Sequence, residues 1–114
     1  MRNFVMHFWR TLASHKDEPA LVAPGSDGAD HQVTTFGEWV KQIHRLAVGF
    51  MEKGLEPGDR VGLIAQNSPD WLTVAAATWA AGACLVPLVP GQPRRQTLQC
   101  LARSGTHWIV VRDV

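Results

Sequence analysis

The stretch GLEPGDRVGLIAQNSPDWLTVAAATWAAGACLVPLVPGQP, Gly54–Pro93, decides the fold. Pro57-Gly58 turns the chain into Arg60-Val-Gly-Leu-Ile-Ala65, a nearly continuous apolar run suited to a strand buried on both faces of a parallel sheet. Asn67 or Ser68 then caps a helix, with Pro69 at its first position and Asp70 set against the positive end of the helix dipole. Gly82 closes that helix, and Cys84-Leu-Val-Pro-Leu88 follows as a second strand. Pro87 has no amide hydrogen to donate, so it belongs at a strand end or on an unpaired edge. Strand, helix and strand joined this tightly predict a parallel pair.

Working outward, a further helix spans about Pro93–Ser104 with Leu98, Leu101 and Ala102 facing inward, and His107–Val111 is the last strand. Upstream, Thr35 is a helix cap: its hydroxyl can accept the amide hydrogen of Glu38, whose carboxylate can reach back. Phe36, Trp39, Val40, Ile43, Leu46, Ala47, Phe50 and Met51 repeat at helical spacing until Gly54 ends the helix. Before it, Ala20–Ala23 and Gln32–Thr34 form a loose hairpin around the turn chemistry of Pro24–Gly28. Phe4, Phe8 and Leu12 recur along an amphipathic N-terminal helix that His7 and Arg10 make too polar for an export signal. The fold class is therefore α/β, a partial open parallel sheet with flanking helices, preceded by an N-terminal helix and a hairpin. The organisation is one partial domain over residues 1–114: helix plus hairpin in 1–34, then a helix followed by a βαβαβ layer in 35–114.

Composition narrows the function. A net charge of +1 gives no electrostatic reason to expect nucleic acid or an anionic membrane as partner, and the Arg94-Arg95 pair is not a basic patch. Cys84 and Cys100 have neither metal nor redox spacing, and read as buried free thiols of a cytoplasmic protein. The five histidines are scattered without a second ligand three or four residues away, so no metal site is assigned.

Between Asp70 and Arg94 there is no Asp, Glu, Lys, Arg or His. Trp71, Leu72, Val74 and Trp79 make one side of the helix bulky, while Thr73, Ala76, Ala77 and Ala80 make the other side small. A helix with no charged face is expected to be covered on both sides. Burying a single tryptophan contributes about 4–6 kcal/mol, from ~150–250 Å² at ~25 cal/mol per Å². Too little chain remains to cover this helix and both faces of the sheet, so the expected cover over Trp71, Trp79 and the open sheet is the rest of a longer polypeptide or a second chain. Gly82, Pro87 and Pro90 interrupt the uncharged run, which therefore reads as buried α/β core and not as a membrane span.

No glycine-rich dinucleotide fingerprint, no phosphate loop and no nucleophile with a histidine partner occurs in the sequence. Asp59 and Arg60 read as a surface turn. Asn67 and Asp70 lie nearest the C-terminal end of the first sheet strand, the edge at which open α/β sheets bind ligands. They are the residues to suspect of a ligand contact, although helix capping alone accounts for them.

Several of these pieces together resemble the N-terminal portion of adenylate-forming acyl-CoA synthetases, the AMP-dependent synthetase and ligase family. They are Thr35-Phe-Gly-Glu38, Gly54-Leu-Glu-Pro-Gly-Asp-Arg-Val61, Asn67-Ser-Pro-Asp-Trp71 and Ala80-Ala-Gly-Ala-Cys-Leu-Val-Pro-Leu88. The resemblance covers about residues 34–112 and looks most like the long-chain fatty acid–CoA ligase branch. It implies an enzyme that joins a carboxylic acid to ATP with magnesium, releasing pyrophosphate, and passes the acyl group to the thiol of coenzyme A. The family's phosphate loop, nucleotide-binding motifs, magnesium-binding glutamate and catalytic lysine match no position here. Arg103-Ser-Gly-Thr106 shares only Ser-Gly-Thr with that loop, and Gly105 reads instead as a helix-ending residue. No catalytic, cofactor-binding or metal-binding residue is therefore carried over. The expectation is the N-terminal structural part of such a ligase, inactive by itself. The alternative is a free-standing interaction or dimerisation module derived from the same fold.

Overall fold

The computed structural model describes residues 4–24 and 31–112. The side chains of Phe4 and Val5, and most of the turn expected at Pro24–Gly28, lie outside the described residues. The elements in order are α1 (Phe4–Ser14), β1 (Pro19–Ala23), β2 (Gln32–Thr35), α2 (Phe36–Glu52), β3 (Arg60–Ile64), α3 (Pro69–Ala80), β4 (Cys84–Leu88), α4 (Arg94–Ser104) and β5 (Trp108–Val111). β1 and β2 pair antiparallel as the hairpin, and β4-β3-β5 form a parallel sheet with β3 in the centre. This is the mixed α/β class the sequence implies, with helices flanking a three-stranded parallel sheet.

Local chemistry sets the element ends where the sequence places them. Thr35 has extended backbone and its Oγ1 accepts the Glu38 amide at 3.2 Å. At the other end of α2 the Leu55 amide donates to the Phe50 carbonyl and the Gly54 amide to Met51, each at 3.0 Å. That paired arrangement needs a residue with positive φ between helix and strand, and Gly54 supplies it at +107°. The same two bonds recur at Gly82 and at Gly105, so all three helices that lead into sheet strands stop by one device. Gly105, at φ +65°, is thereby accounted for as a helix end and not as part of a phosphate loop. Between Asn67 and Ser68, Ser68 is the cap of α3, accepting the Trp71 amide at 3.2 Å.

Two small cores hold the layers together. Leu12, Trp39, Ile43, Ala47, Ala76 and Ala77 bury the contact of α1, α2 and α3, with Phe8 and Trp9 packed at its rim. Leu55, Val61, Ala81 and Ala83 bury the start of β3, with Phe50 and Trp108 against them. On the opposite sheet face, Leu101 of α4 sits over Gly62: a Cβ built there would lie 3.0 Å from Leu101 Cδ2. A side chain at residue 62 would push α4 away, so glycine at the centre of β3 is a packing requirement.

Four expectations fail. The tryptophan side of α3 is not covered: the buried residues are Ala75, Ala76, Ala77 and Thr78, while Trp71 and Trp79 are half-buried and Leu72 is exposed. Small side chains let α2 and α3 approach closely, and closeness decides the buried side. In α4 only Leu101 is buried; Leu98 is 53% exposed and Ala102 is exposed, because the helix meets the sheet at the single place Gly62 opens. Cys84 and Cys100 are both exposed: one begins an edge strand, the other lies on the outer side of α4. Met51, expected inward, is exposed one turn beyond the last buried residue of α2, Ala47.

Candidate functional site

The strand order β4-β3-β5 means that the chain steps from β3 to one side and then crosses to the other. A parallel sheet opens a crevice where its order reverses, outside the C-terminal ends of the strands on either side of the reversal. Here those ends are Ile64 and Val111. Asp70 stands at this place because Pro69 and Ser68 start α3 four residues beyond the end of β3. Arg112 stands there because its amide donates to the Ile64 carbonyl at 3.2 Å, prolonging the ladder by one bond. The two side chains meet, Arg112 Nη1 to Asp70 Oδ2 at 3.3 Å, both largely exposed.

Behind the pair, α2 grips the first turn of α3. Trp39 Nε1 donates to Thr73 Oγ1 at 2.9 Å, and the same hydroxyl donates to the Pro69 carbonyl at 2.9 Å. The indole hydrogen of a buried tryptophan is satisfied in this way, and the start of α3 is fixed against α2. A cavity of about 340 Å³ opens here, with Gln32, Thr34 and Gln42 facing Asp70, Thr73 and Arg112 across it. A second, more apolar groove of about 540 Å³ lies on the other side of Pro69, between the hairpin residues Ala20–Val22 and Asn67, Trp71 and Leu72.

The sequence-suspected residues thus lie at the expected edge but face two different openings: Asp70 the polar cavity, Asn67 the apolar groove. Asp70 is engaged twice, with the amino end of α3 and with Arg112. Sequence reasoning missed Arg112, Thr73 and Gln42. Arg112 was within reach of it, since the residue just past the last strand must share the edge with the start of α3.

Asp59 and Arg60, read as a turn, are one. Asp59 Oδ2 accepts the Glu56 amide at 2.8 Å, and Arg60 Nη1 donates to the carbonyl of Ser104, at the opposite edge of the sheet. Among the described residues there is no group of three or more His, Cys, Asp or Glu side chains placed to hold a metal ion. No described helix is long and apolar enough to cross a membrane.

Comparison with known proteins agrees with this architecture. The family described as AMP-binding enzyme matches residues 8–114. Surfactin synthase subunit 2 of Bacillus subtilis is 31% identical over 106 residues, covering 93% of this chain and 3% of that protein. A feruloyl-CoA synthase from Amycolatopsis sp is 37% identical over 79 residues, covering 68% of this chain and 16% of that protein. The N-terminal subdomain of Klebsiella oxytoca NpsA, solved with 3-hydroxyanthranilyl-AMSN, superposes with a TM-score of 0.86 at 24% identity. That match covers 100% of this chain and 28% of the NpsA chain. The chain therefore spans a small part of each relative it matches, and those relatives include both peptide synthetases and coenzyme A ligases. With the motifs at Thr35–Glu38, Asn67–Trp71 and Ala80–Leu88 all sitting at helix caps, strand ends and turns of one α/β layer, this chain belongs to the AMP-binding enzyme family.

Proposed function

We propose that this chain is the N-terminal scaffold of an adenylate-forming ligase, and that it has no activity as 114 residues. The observation that carries the reading is the uncovered tryptophan side of α3 beside an open sheet, in a chain whose relatives continue far beyond the matched part. A whole catalytic domain would lay further chain over Trp71, Leu72 and the exposed residues of β5. The complete protein would activate a carboxylate with ATP and magnesium as acyl-adenylate, then transfer the acyl group to a thiol. Coenzyme A as that thiol is supported by the 37% identity to a feruloyl-CoA synthase, and a long-chain fatty acid as substrate by the Asn67–Trp71 and Ala80–Leu88 motifs. In this chain Asp70 and Arg112 hold the amino end of α3 against β5, a positioning role. A reducing, cytoplasmic setting suits the two exposed thiols.

Immunoblotting of source cells against this segment tests the scaffold reading. A native band several times larger than 12.6 kDa is expected, and a band at 12.6 kDa overturns it. ATP–pyrophosphate exchange is expected from the native protein and absent from the 114-residue chain; turnover by the short chain would equally refute the proposal. Incubating the native protein with fatty acid, ATP and coenzyme A, and looking for the thioester, decides the acceptor.

A further inference from the structure

The sheet has two free edges, and they are built differently. β4 carries Pro87, whose ring nitrogen has no hydrogen to give, within its five residues, and Pro90, Gly91 and Pro93 follow at once. Proline at this position blunts an edge against further pairing. β5, Trp108-Ile-Val-Val111, has an amide hydrogen at every residue and no proline or charge within it. Ile109 and Val111 are 50% and 59% exposed and stand on the sheet face of Gly62 and Ile64, their register partners in β3. Among the described residues no strand pairs with the outer side of β5. A flat, uncharged, β-branched edge of this kind invites strand addition, and proteins that need such an edge free protect it.

Resting on the scaffold reading above, we propose that β5 is the growing edge of the sheet. Its occupant is one extended strand of the longer polypeptide, hydrogen-bonded along Trp108–Val111, with apolar side chains beside Ile109 and Val111. β4 stays the terminal strand. The commitment to the same polypeptide, and not to a second copy, follows from the relatives: this whole chain superposes on 28% of the NpsA N-terminal subdomain, so the relative has ample further chain within the same unit. The position next to the switch point adds a consequence. A strand laid on β5 would flank Arg112 and hold the Asp70–Arg112 pair between two ladders.

Hydrogen–deuterium exchange on the protein isolated at its native size reads this directly. Peptides spanning 107–112 should exchange as slowly as the central strand 60–64, within about threefold, and at least about tenfold more slowly than 84–88. A native protein larger than this chain in which 107–112 exchanges as fast as 84–88 overturns the growing-edge inference while leaving the scaffold reading intact. A native protein of 12.6 kDa overturns both. Slow exchange at 84–88 with fast exchange at 107–112 would place the added strand on β4 and also refute the assignment.

Discussion

α2 and α3 lie side by side and bury opposite kinds of residue. α2 sends its bulky side chains inward, with Trp39 and Ile43 buried, and keeps Glu38, Lys41, Gln42 and Arg45 outside. α3 sends alanines inward and leaves Trp71 and Trp79 half-buried with Leu72 exposed. Hydrophobic size thus identifies the core side of the first helix and misidentifies it on the second. The difference is one of available cover: α2 is amphipathic because one side of it meets water, whereas α3 carries no charge beyond Asp70 because its outer side is made for another apolar surface. An isolated layer then exposes its larger side chains where a completed domain would hide them.

The strongest way to break this comparison is at Ile43, fully buried where α2 meets α3. Ile43→Ala should lower stability by about 2–5 kcal/mol, measured by urea unfolding of the 114-residue chain. A loss under about 1 kcal/mol would mean that the contact of the two helices is loose and that the buried side of α3 has been assigned wrongly. Next in size is Ala77→Leu. Ala77 has no exposed surface at all, and added methylenes must separate the helices, at a cost of about 1–3 kcal/mol. If the leucine instead raised the unfolding midpoint, the space between α2 and α3 would be a void and not a close approach.

Much of this layer was legible in the sequence because its signals are local. Thr35 and Ser68 before their helices, Gly54, Gly82 and Gly105 after them, and Pro87 on an edge each act through the nearest few backbone groups. What failed to read was every statement about which side faces inward, namely Leu98, Ala102, Met51, the two cysteines and the tryptophans. Those depend on partners distant in sequence, and for α4 the partner is a single glycine, Gly62, that admits one leucine. The candidate site was legible in half. Asp70 announced itself as a helix-start carboxylate, but Arg112 became its partner only through the order of the strands.

A smaller effect tests that pair. Asp70→Asn removes a charge from the first turn of α3 and from Arg112, and exposed ion pairs and dipole contacts of this kind each contribute about 0.3–1 kcal/mol. The loss should shrink in ~1 M salt, where exposed charges are screened over ~3 Å. A loss that persists at high salt would show that Asp70 acts through buried hydrogen bonding, contrary to its exposed position.

The smallest expected effect is the one that separates the two sides of α3 most cleanly. Leu72 is 45% exposed and lines the apolar groove beside Trp71. In the 114-residue chain Leu72→Ser removes little buried surface, so the urea midpoint should move by no more than about 0.5 kcal/mol. A destabilisation as large as that of Ile43→Ala would mean that the tryptophan side is already packed within this chain, and the argument for an absent covering surface would fall. The same substitution in the protein at its native size carries the opposite expectation. If further chain covers this side, the leucine becomes a core residue there, and its loss should cost about 2–5 kcal/mol. One residue, nearly silent in the short chain and damaging in the long one, would locate the missing cover on α3 without any knowledge of its sequence.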